Sequence, residues 1–190
     1  MHCKKTGLIF VIILLSFITA SKALAQAWTA GQNVTLQVND YCLIATNNAP
    51  ISLTLTSAIA GQAAVPTSNS DLYVKISSIT PGGTNRELTA KMTSGTIPAG
   101  TQLTLASAAC TTTNSGGILG TPVATPIVLS GIDQYLVTNI GTCYTGTGYN
   151  DGYKMTFTWA PLSPATNYGL IQSGTANIIV VFTITAHDGN

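Results

Sequence analysis

Charged residues are scarce in this sequence: seven Lys and Arg and six Asp and Glu make up 7% of its 190 residues, against about a quarter in ordinary soluble domains. The chain contains no basic cluster that could neutralise phosphates, so we expect no nucleic-acid partner. Lys and Glu are also the residues that usually protect sheet edges from pairing. A β-protein with so few charges must therefore either cover its edges or use them.

Residue types that support catalysis or metal binding are equally few. The chain has two His, and only His187, beside Asp188 near the C-terminus, lies outside the N-terminal segment. A nucleophilic Ser or Cys needs a nearby base, zinc needs three or four closely spaced Cys or His ligands, and a glycosidase needs two placed carboxylates. We therefore predict a non-enzymatic protein with no catalytic residues, cofactor or metal; a hydrolase using His187 is the residual alternative.

The first 25 residues have the organisation of a secretory signal peptide. Lys4 and Lys5 precede an apolar run over residues 8–15, and Ala23-Leu24-Ala25 forms a cleavage site. Because this run is shorter than the ~20 residues that span a bilayer, we expect residues 1–25 to be cleaved and no integral membrane segment to remain. The sequence thus predicts an exported protein, between the periplasm and the cell surface or outside the cell, with a single domain over residues 26–190.

Alternation of apolar and polar residues is the main structural signal, and no segment has a helical period. The pattern is strongest in residues 175–186, which we predict to be a closing strand at the centre of the sandwich, with Ile178, Val180, Phe182 and Ile184 on one face. Other strands are predicted over residues 33–38, 41–45, 51–55, 72–76, 88–92, 103–105, 127–129, 135–140 and 153–159. Many short strands separated by Gly, Pro, Asn and Ser favour an all-β antiparallel sandwich.

Three cysteines remain after the predicted cleavage. Cys110 and Cys143 lie in polar, glycine-flanked loops, whereas Cys42 lies in an apolar run. In an oxidising compartment one pair is expected, and these surroundings favour a Cys110–Cys143 disulfide over either pairing with Cys42. Such a bond would contribute roughly 3–4 kcal/mol by closing its loop in the unfolded chain. Cys42 is then interpreted as a buried free thiol or, alternatively, as the site of an intermolecular bridge.

Aromatic residues cluster in the last third of the chain. Tyr144 and Tyr149 flank a glycine-rich turn, where their rings are expected to be exposed. Exposed rings serve carbohydrate-binding sandwiches as stacking platforms, so a monomeric secreted carbohydrate-binding module is one hypothesis for the function.

Several stretches taken together carry a family resemblance: Asn33-Val-Thr-Leu-Gln-Val38, Ile97-Pro-Ala-Gly-Thr-Gln-Leu103, Val137-Thr-Asn-Ile-Gly-Thr-Cys-Tyr-Thr-Gly146, the strand after Gly152, and Val-Val-Phe-Thr-Ile-Thr185. They resemble secreted fimbrial-type proteins of the chaperone–usher and spore coat protein U-like pilin group. The resemblance implies a pilin-like, immunoglobulin-like sandwich that lacks its last strand. In that family a periplasmic chaperone, and later the N-terminal extension of another subunit, fills the open groove.

The resemblance leaves two assignments open for Val34, Leu36 and Val38. They belong either to the domain's own first strand or to a donor or edge strand within residues 26–39, in which case residues 41–44 form the first strand. The leading hypothesis is a structural subunit of a bacterial surface fibre or adhesion structure. It would assemble by β-strand addition with itself or with other fimbrial subunits, and a periplasmic chaperone would be a further partner.

Overall fold

The structure is a computed structural model that describes residues 29–57 and 59–186. The chain divides into two units, residues 1–37 and residues 38–190. The predicted signal peptide and His187 lie outside the described residues. Within the described residues, no helix is long and apolar enough to cross a bilayer.

The described part of the first unit, residues 29–37, contains neither helix nor strand. Val34 and Leu36 are exposed, at 73% and 88% of their surface. Val38 begins the second unit; it also lies outside any strand and is 76% exposed. The strand predicted over residues 33–38 is therefore wrong for this chain taken alone. An alternating segment becomes a strand only when a neighbour pairs with its backbone, so a donor role for these residues stays a prediction.

The described residues of the second unit form eleven strands in two antiparallel sheets, which confirms the predicted all-β sandwich at that level. The strands are β1 (Tyr41–Thr46), β2 (Thr67–Ile79), β3 (Arg86–Ser94), β4 (Thr101–Ser107), β5 (Gly116–Gly117), β6 (Thr121–Pro122), β7 (Ile127–Val128), β8 (Gln134–Ile140), β9 (Cys143–Tyr144), β10 (Tyr153–Pro161) and β11 (Ile179–Ala186). A short helix, α1 (Pro164–Asn167), and a 3₁₀ turn (Tyr168–Leu170) precede β11.

The larger sheet has the strand order β5-β9-β2-β10-β4-β7, with β1 also paired to β2. Val74 of β2 pairs with Thr46 of β1 and with Tyr153 of β10, so β1 lies on the opposite edge of β2 from β10. The smaller sheet has the order β11-β3-β8-β6. Both β1 and β11 are thus edge strands.

The core lies between the inner faces of the two sheets. Alternate residues of β2 and β10 point inward from the larger sheet and are buried: Leu72, Val74, Ile76, Tyr153, Met155 and Phe157. The smaller sheet contributes buried Leu88, Ala90, Leu136, Val137 and Ile140. Each large apolar side chain buried in this way contributes about 1.5–3 kcal/mol, and this gain selects the face that each alternating strand turns inward.

The closing strand differs from its prediction in position. It starts at Ile179 and lies at the edge of the smaller sheet, paired only with β3 among the described strands, rather than at the centre of the sandwich. Ile178, just before the strand, packs with Val180, Phe182 and Ile184 against the core. Apolar residues on both faces suggested a central position, but the outward-facing Ile179 and Val181 are exposed to solvent.

The strand predicted over residues 51–55 is absent. This segment is irregular, with one bridge from Thr56 to Val65, although Ile51 and Leu53 still pack against the core. The side chain of Asn47 explains the difference, because it occupies the edge of β2 where a further strand would pair. Its Oδ1 accepts a hydrogen bond from the Tyr73 amide at 3.1 Å, and its Nδ2 donates to the Asp71 carbonyl at 2.8 Å.

Candidate functional site

One side of the sandwich is bordered by two edge strands, β1 of the larger sheet and β11 of the smaller one. Within the described residues, β1 pairs only with β2 and β11 only with β3. Some Cα atoms of β1 and β11 lie within 8 Å of each other, yet no strand pairing joins them in the part of the chain described. This side, which we call the open side, therefore presents two rows of backbone hydrogen-bonding groups.

The inward-facing residues along the open side are incompletely buried. Cys42 of β1, together with Val180, Phe182 and Ile184 of β11, is only partly buried although it packs on the core. Ile44 is exposed at 37% even though it faces inward beside the buried Ile76. By contrast, Val74 and Ile76 on the inner face of β2 and Tyr153 and Met155 on that of β10 are at most 2% exposed. The core is thus accessible along this side.

A polar cluster around Arg86 links the two sheets at one end of the open side. Arg86 starts β3, where it pairs with Ala186 of β11, and its Nε donates to the Ser78 hydroxyl of β2 at 3.1 Å. Its Nη2 forms an ion pair with Asp40, immediately before β1. The Arg86 side chain is 12% exposed and the Asp40 side chain 52%, so solvent and salt reach this ion pair from the Asp40 side. The accessible part of the core lies beyond it, along the rest of β1 and β11.

The three cysteines surround one part of the inner face of the larger sheet. Cys42 of β1 and Cys143 of β9 both pair with Ser78 of β2, from opposite edges. Two strand spacings of about 4.8 Å separate their backbones, which exceeds the ~7 Å limit for a disulfide. All three cysteines are free thiols in the structure. The geometry disfavours a Cys42–Cys143 bond, and the Cys110–Cys143 bond stays a prediction.

Burial governs the chemistry of these thiols. It raises the pKa of Cys143 from 9.0 to about 11, with smaller contributions from the neighbouring Cys42 and Cys110 thiols. Burial also raises the pKa of Cys42, while Arg86 acts in the opposite direction. Cys110 is buried, and its Sγ lies 3.8 Å from the Thr145 carbonyl oxygen. Since the thiolate is the reactive form, Cys143 should react slowly with electrophiles at neutral pH.

The two tyrosines selected from the sequence lie on the surface. Tyr144 is 56% exposed, and its ring lies over Gly116 of the neighbouring β5, where a Cβ would meet the ring. Tyr149 is 62% exposed and lines a cleft of about 280 Å³ on the outer face of the larger sheet. A second cleft, of about 270 Å³, adjoins it through the shared residues Tyr73, Asn150 and Lys154.

The loop that carries Tyr149 and Asn150 is held by its own hydrogen bonds. The buried Asp151 carboxylate accepts a hydrogen bond from the Gly148 amide at 2.7 Å. Lys75 on β2 donates to the Gly148 carbonyl at 3.2 Å. Gly146 has a φ of 91°, and a Cβ there would overlap the Asp151 carboxylate. These contacts order the wall of the cleft without using the groups that face into it.

Within residues 29–57 and 59–186, no group of three or more His, Cys, Asp or Glu residues is arranged to hold a metal ion. No family model, no curated protein and no solved structure matches this chain.

Several residues of these sites escape prediction from the sequence. Tyr73 and Lys154 both occupy outward positions of alternating segments, but their pairing depends on the β2–β10 register. Arg86 and Asp40 lie far apart in the chain and meet only through tertiary structure. The alternation could have placed Tyr73 and Lys154 on solvent faces, whereas nothing in the chain order could have placed them side by side.

Proposed function

We propose that this chain is an exported, non-enzymatic structural subunit that assembles into a surface fibre or adhesion structure by β-strand addition. A strand from another molecule would pair along the open side and complete an immunoglobulin-like, pilin-like sandwich. The supporting observation is the combination of two edge strands with partly buried core residues on their inner faces. Main-chain pairing at such an edge provides affinity, and alternate side chains entering the core provide specificity.

The exposed segment that includes Val34, Leu36 and Val38 is the proposed donor. Its three apolar side chains alternate with polar ones and are 73%, 88% and 76% exposed. Their burial in a second copy would contribute about 1.5–3 kcal/mol each, or roughly 5–9 kcal/mol before association and ordering costs. That is comparable with the ~5–15 kcal/mol stability of a whole domain. The added strand would also pair its backbone along one or both edges of the open side.

The experiment compares the mature chain, residues 26–190, with its Leu36→Asp variant by sedimentation velocity over a range of concentrations. The wild type should form concentration-dependent polymers, and Leu36→Asp should remain monomeric because a carboxylate cannot enter the apolar core without a large cost. Ile132→Asp is the matched control. Ile132 is also an exposed aliphatic residue, at 74%, in the loop before β8, and its replacement should leave assembly unchanged.

A peptide experiment tests the acceptor side separately. A labelled peptide of residues 33–39 should bind the monomeric Leu36→Asp protein, which keeps its open side, and the same peptide carrying Leu36→Asp should not. A wild-type chain that stays monomeric at every concentration and binds neither peptide would contradict strand addition.

A further inference from the structure

The two adjoining clefts lie on the opposite face of the larger sheet from the core. Lys154 of β10 pairs with Tyr73 of β2, and both point outward because their neighbours Tyr153, Leu72 and Val74 point into the core. The loop between β9 and β10 brings Tyr149 and Asn150 to the same place. Two aromatic rings, an ammonium group and an amide therefore converge on one concave surface.

The polar groups at this surface have unused hydrogen-bonding capacity. Among the described residues, neither the Lys154 ammonium nor the Asn150 side chain makes a hydrogen bond or an ion pair; the ion pairs of Arg86 with Asp40 and of Lys91 with Asp133 involve other parts of the fold. Asp71 accepts a hydrogen bond from Asn69 through Oδ2, which leaves Oδ1 available. Donors and acceptors are thus both present in the cleft that the exposed ring of Tyr149 lines.

The walls of the cleft are held in place from behind. Asn47 fixes the β2 backbone at Asp71 and Tyr73, while Asp151 and Lys75 fix the loop before Asn150. A ligand would therefore meet a largely formed surface and would not have to order a loop, which lowers the entropic cost of binding.

We propose that this surface, which we call the Tyr149 cleft, binds a carbohydrate. A sugar ring has an apolar face that can stack on an aromatic side chain and a rim of hydroxyl groups that both donate and accept hydrogen bonds. The Tyr149 and Tyr73 rings supply apolar surface with polar tips. Lys154 donates, Asp71 accepts, and the Asn150 amide does both. Charged partners make the stronger hydrogen bonds to neutral hydroxyls.

The same features argue against other ligand classes. A phosphate or another polyanion would meet one ammonium group with the Asp71 carboxylate in the same cleft, which repels an anion. A metal ion would find one carboxylate, and the described residues hold no cluster of ligands for it. The two clefts, at about 270 and 280 Å³, are each slightly smaller than the ~300–1,000 Å³ typical of small-ligand sites, which favours a small ligand over a large cofactor.

This site is independent of strand addition. The Tyr149 cleft lies on the outer face of the larger sheet, so the monomeric Leu36→Asp protein should bind sugar as well as the wild type does. A fibre subunit that carries such a site would present one copy per subunit, and repeated copies would raise avidity for a polyvalent glycan surface.

The test uses saturation-transfer NMR on the mature Leu36→Asp protein with the neutral disaccharides maltose, cellobiose, lactose and N,N′-diacetylchitobiose as probes. At least one disaccharide should receive saturation. Tyr149→Ala and Lys154→Met should each weaken its binding by about tenfold or more, the loss expected when about 1.4 kcal/mol of binding free energy is removed. Lys154→Met keeps the aliphatic stem and removes only the charged donor, so it tests the chemistry without disturbing the packing.

Tyr135→Ala is the matched control, because Tyr135 is an equally exposed tyrosine on β8 of the smaller sheet, and this variant should bind like the parent. Tyr144→Ala tests the other exposed ring and should also bind normally. Absence of saturation transfer to every probe would overturn the proposal, as would a response that Tyr144→Ala abolishes and Tyr149→Ala leaves intact. Thermal unfolding of each variant confirms that the protein measured is folded.

Discussion

The buried hydroxyl of Thr145 offers a sharp test of how the larger sheet is held together. Thr145 follows β9 and is only 1% exposed. Its Oγ1 accepts a hydrogen bond from the Ile76 amide at 2.9 Å, and its own amide donates to the Ile76 carbonyl at 3.0 Å. A side chain thus takes the place of a backbone acceptor and extends the pairing of β9 with β2. The perturbation is Thr145→Val, which keeps the shape and removes this acceptor.

The expected loss follows from the burial of the group left behind. Ile76 is 2% exposed, so its amide would have no access to water once the hydroxyl is gone. An unsatisfied buried donor costs about 1–3 kcal/mol. Taking about 2 kcal/mol, and about 2–4 °C per kcal/mol for a domain of this size, we expect the midpoint of thermal unfolding to fall by about 4–8 °C.

The assay combines urea unfolding under reducing conditions with amide hydrogen exchange at Ile76. Thr145→Val should lower the free energy of unfolding and speed exchange of the Ile76 amide. Thr145→Ser keeps the hydroxyl and removes one methyl group, so it should cost about 1 kcal/mol while the Ile76 amide stays protected. A Thr145→Val protein as stable as the wild type, with the Ile76 amide unchanged, would refute the reasoning.

Two further predictions concern the start of β11 and the thiol of Cys143. Gly95 has a φ of 87°, and a Cβ there would overlap the Asn177 carbonyl oxygen, so Gly95→Ala should lower the free energy of unfolding in urea by at least about 1–3 kcal/mol. Gly82→Ala meets no neighbouring atom and should change it by less than about 0.5 kcal/mol; equal losses in the two variants would contradict this reading. Because burial raises the pKa of Cys143 from 9.0 to about 11, the folded state holds this proton more tightly than the unfolded state. The contribution of the protonated Cys143 thiol to the free energy of unfolding is fully present below pH 9.0 and is lost as the pH rises toward about 11. Urea midpoints of the reduced protein should therefore fall across this interval more steeply than those of Cys143→Ser, and parallel curves would count against a buried thiol.

The all-β class was predictable because strand patterns are local. Residues 72–76 and 153–159 alternate strictly in the sequence, and the inward set of each is buried in the structure except for Trp159, which is partly buried. A side-chain period of two can be recognised without knowing the partner strand, because it depends only on which face of the strand is shielded from water. The same periodicity predicts a strand at residues 103–105, which in the structure extends over Thr101–Ser107.

The strand predictions that fail are those for segments whose conformation depends on whether another part of the protein pairs with them. Residues 33–38 and 51–55 alternate as well as the strands do, yet neither forms one. In the second case the Asn47 side chain takes the edge of β2, a contact across about 25 residues that no local pattern reveals. The edge position of the closing strand could not be predicted, because nothing in the strand's own sequence specifies how many neighbouring strands it has.

The sequence by itself determined the antiparallel β character, most of the strands and the inward faces that build the core, because these depend on hydrophobic alternation along the chain. Only the tertiary structure decided the cross-strand register, which places Cys42 and Cys143 on either side of Ser78 and Lys154 beside Tyr73. It also decided that β1 and β11 are edges that border an open side. Register and edge position arise from long-range pairing, in which every backbone group competes for partners throughout the chain.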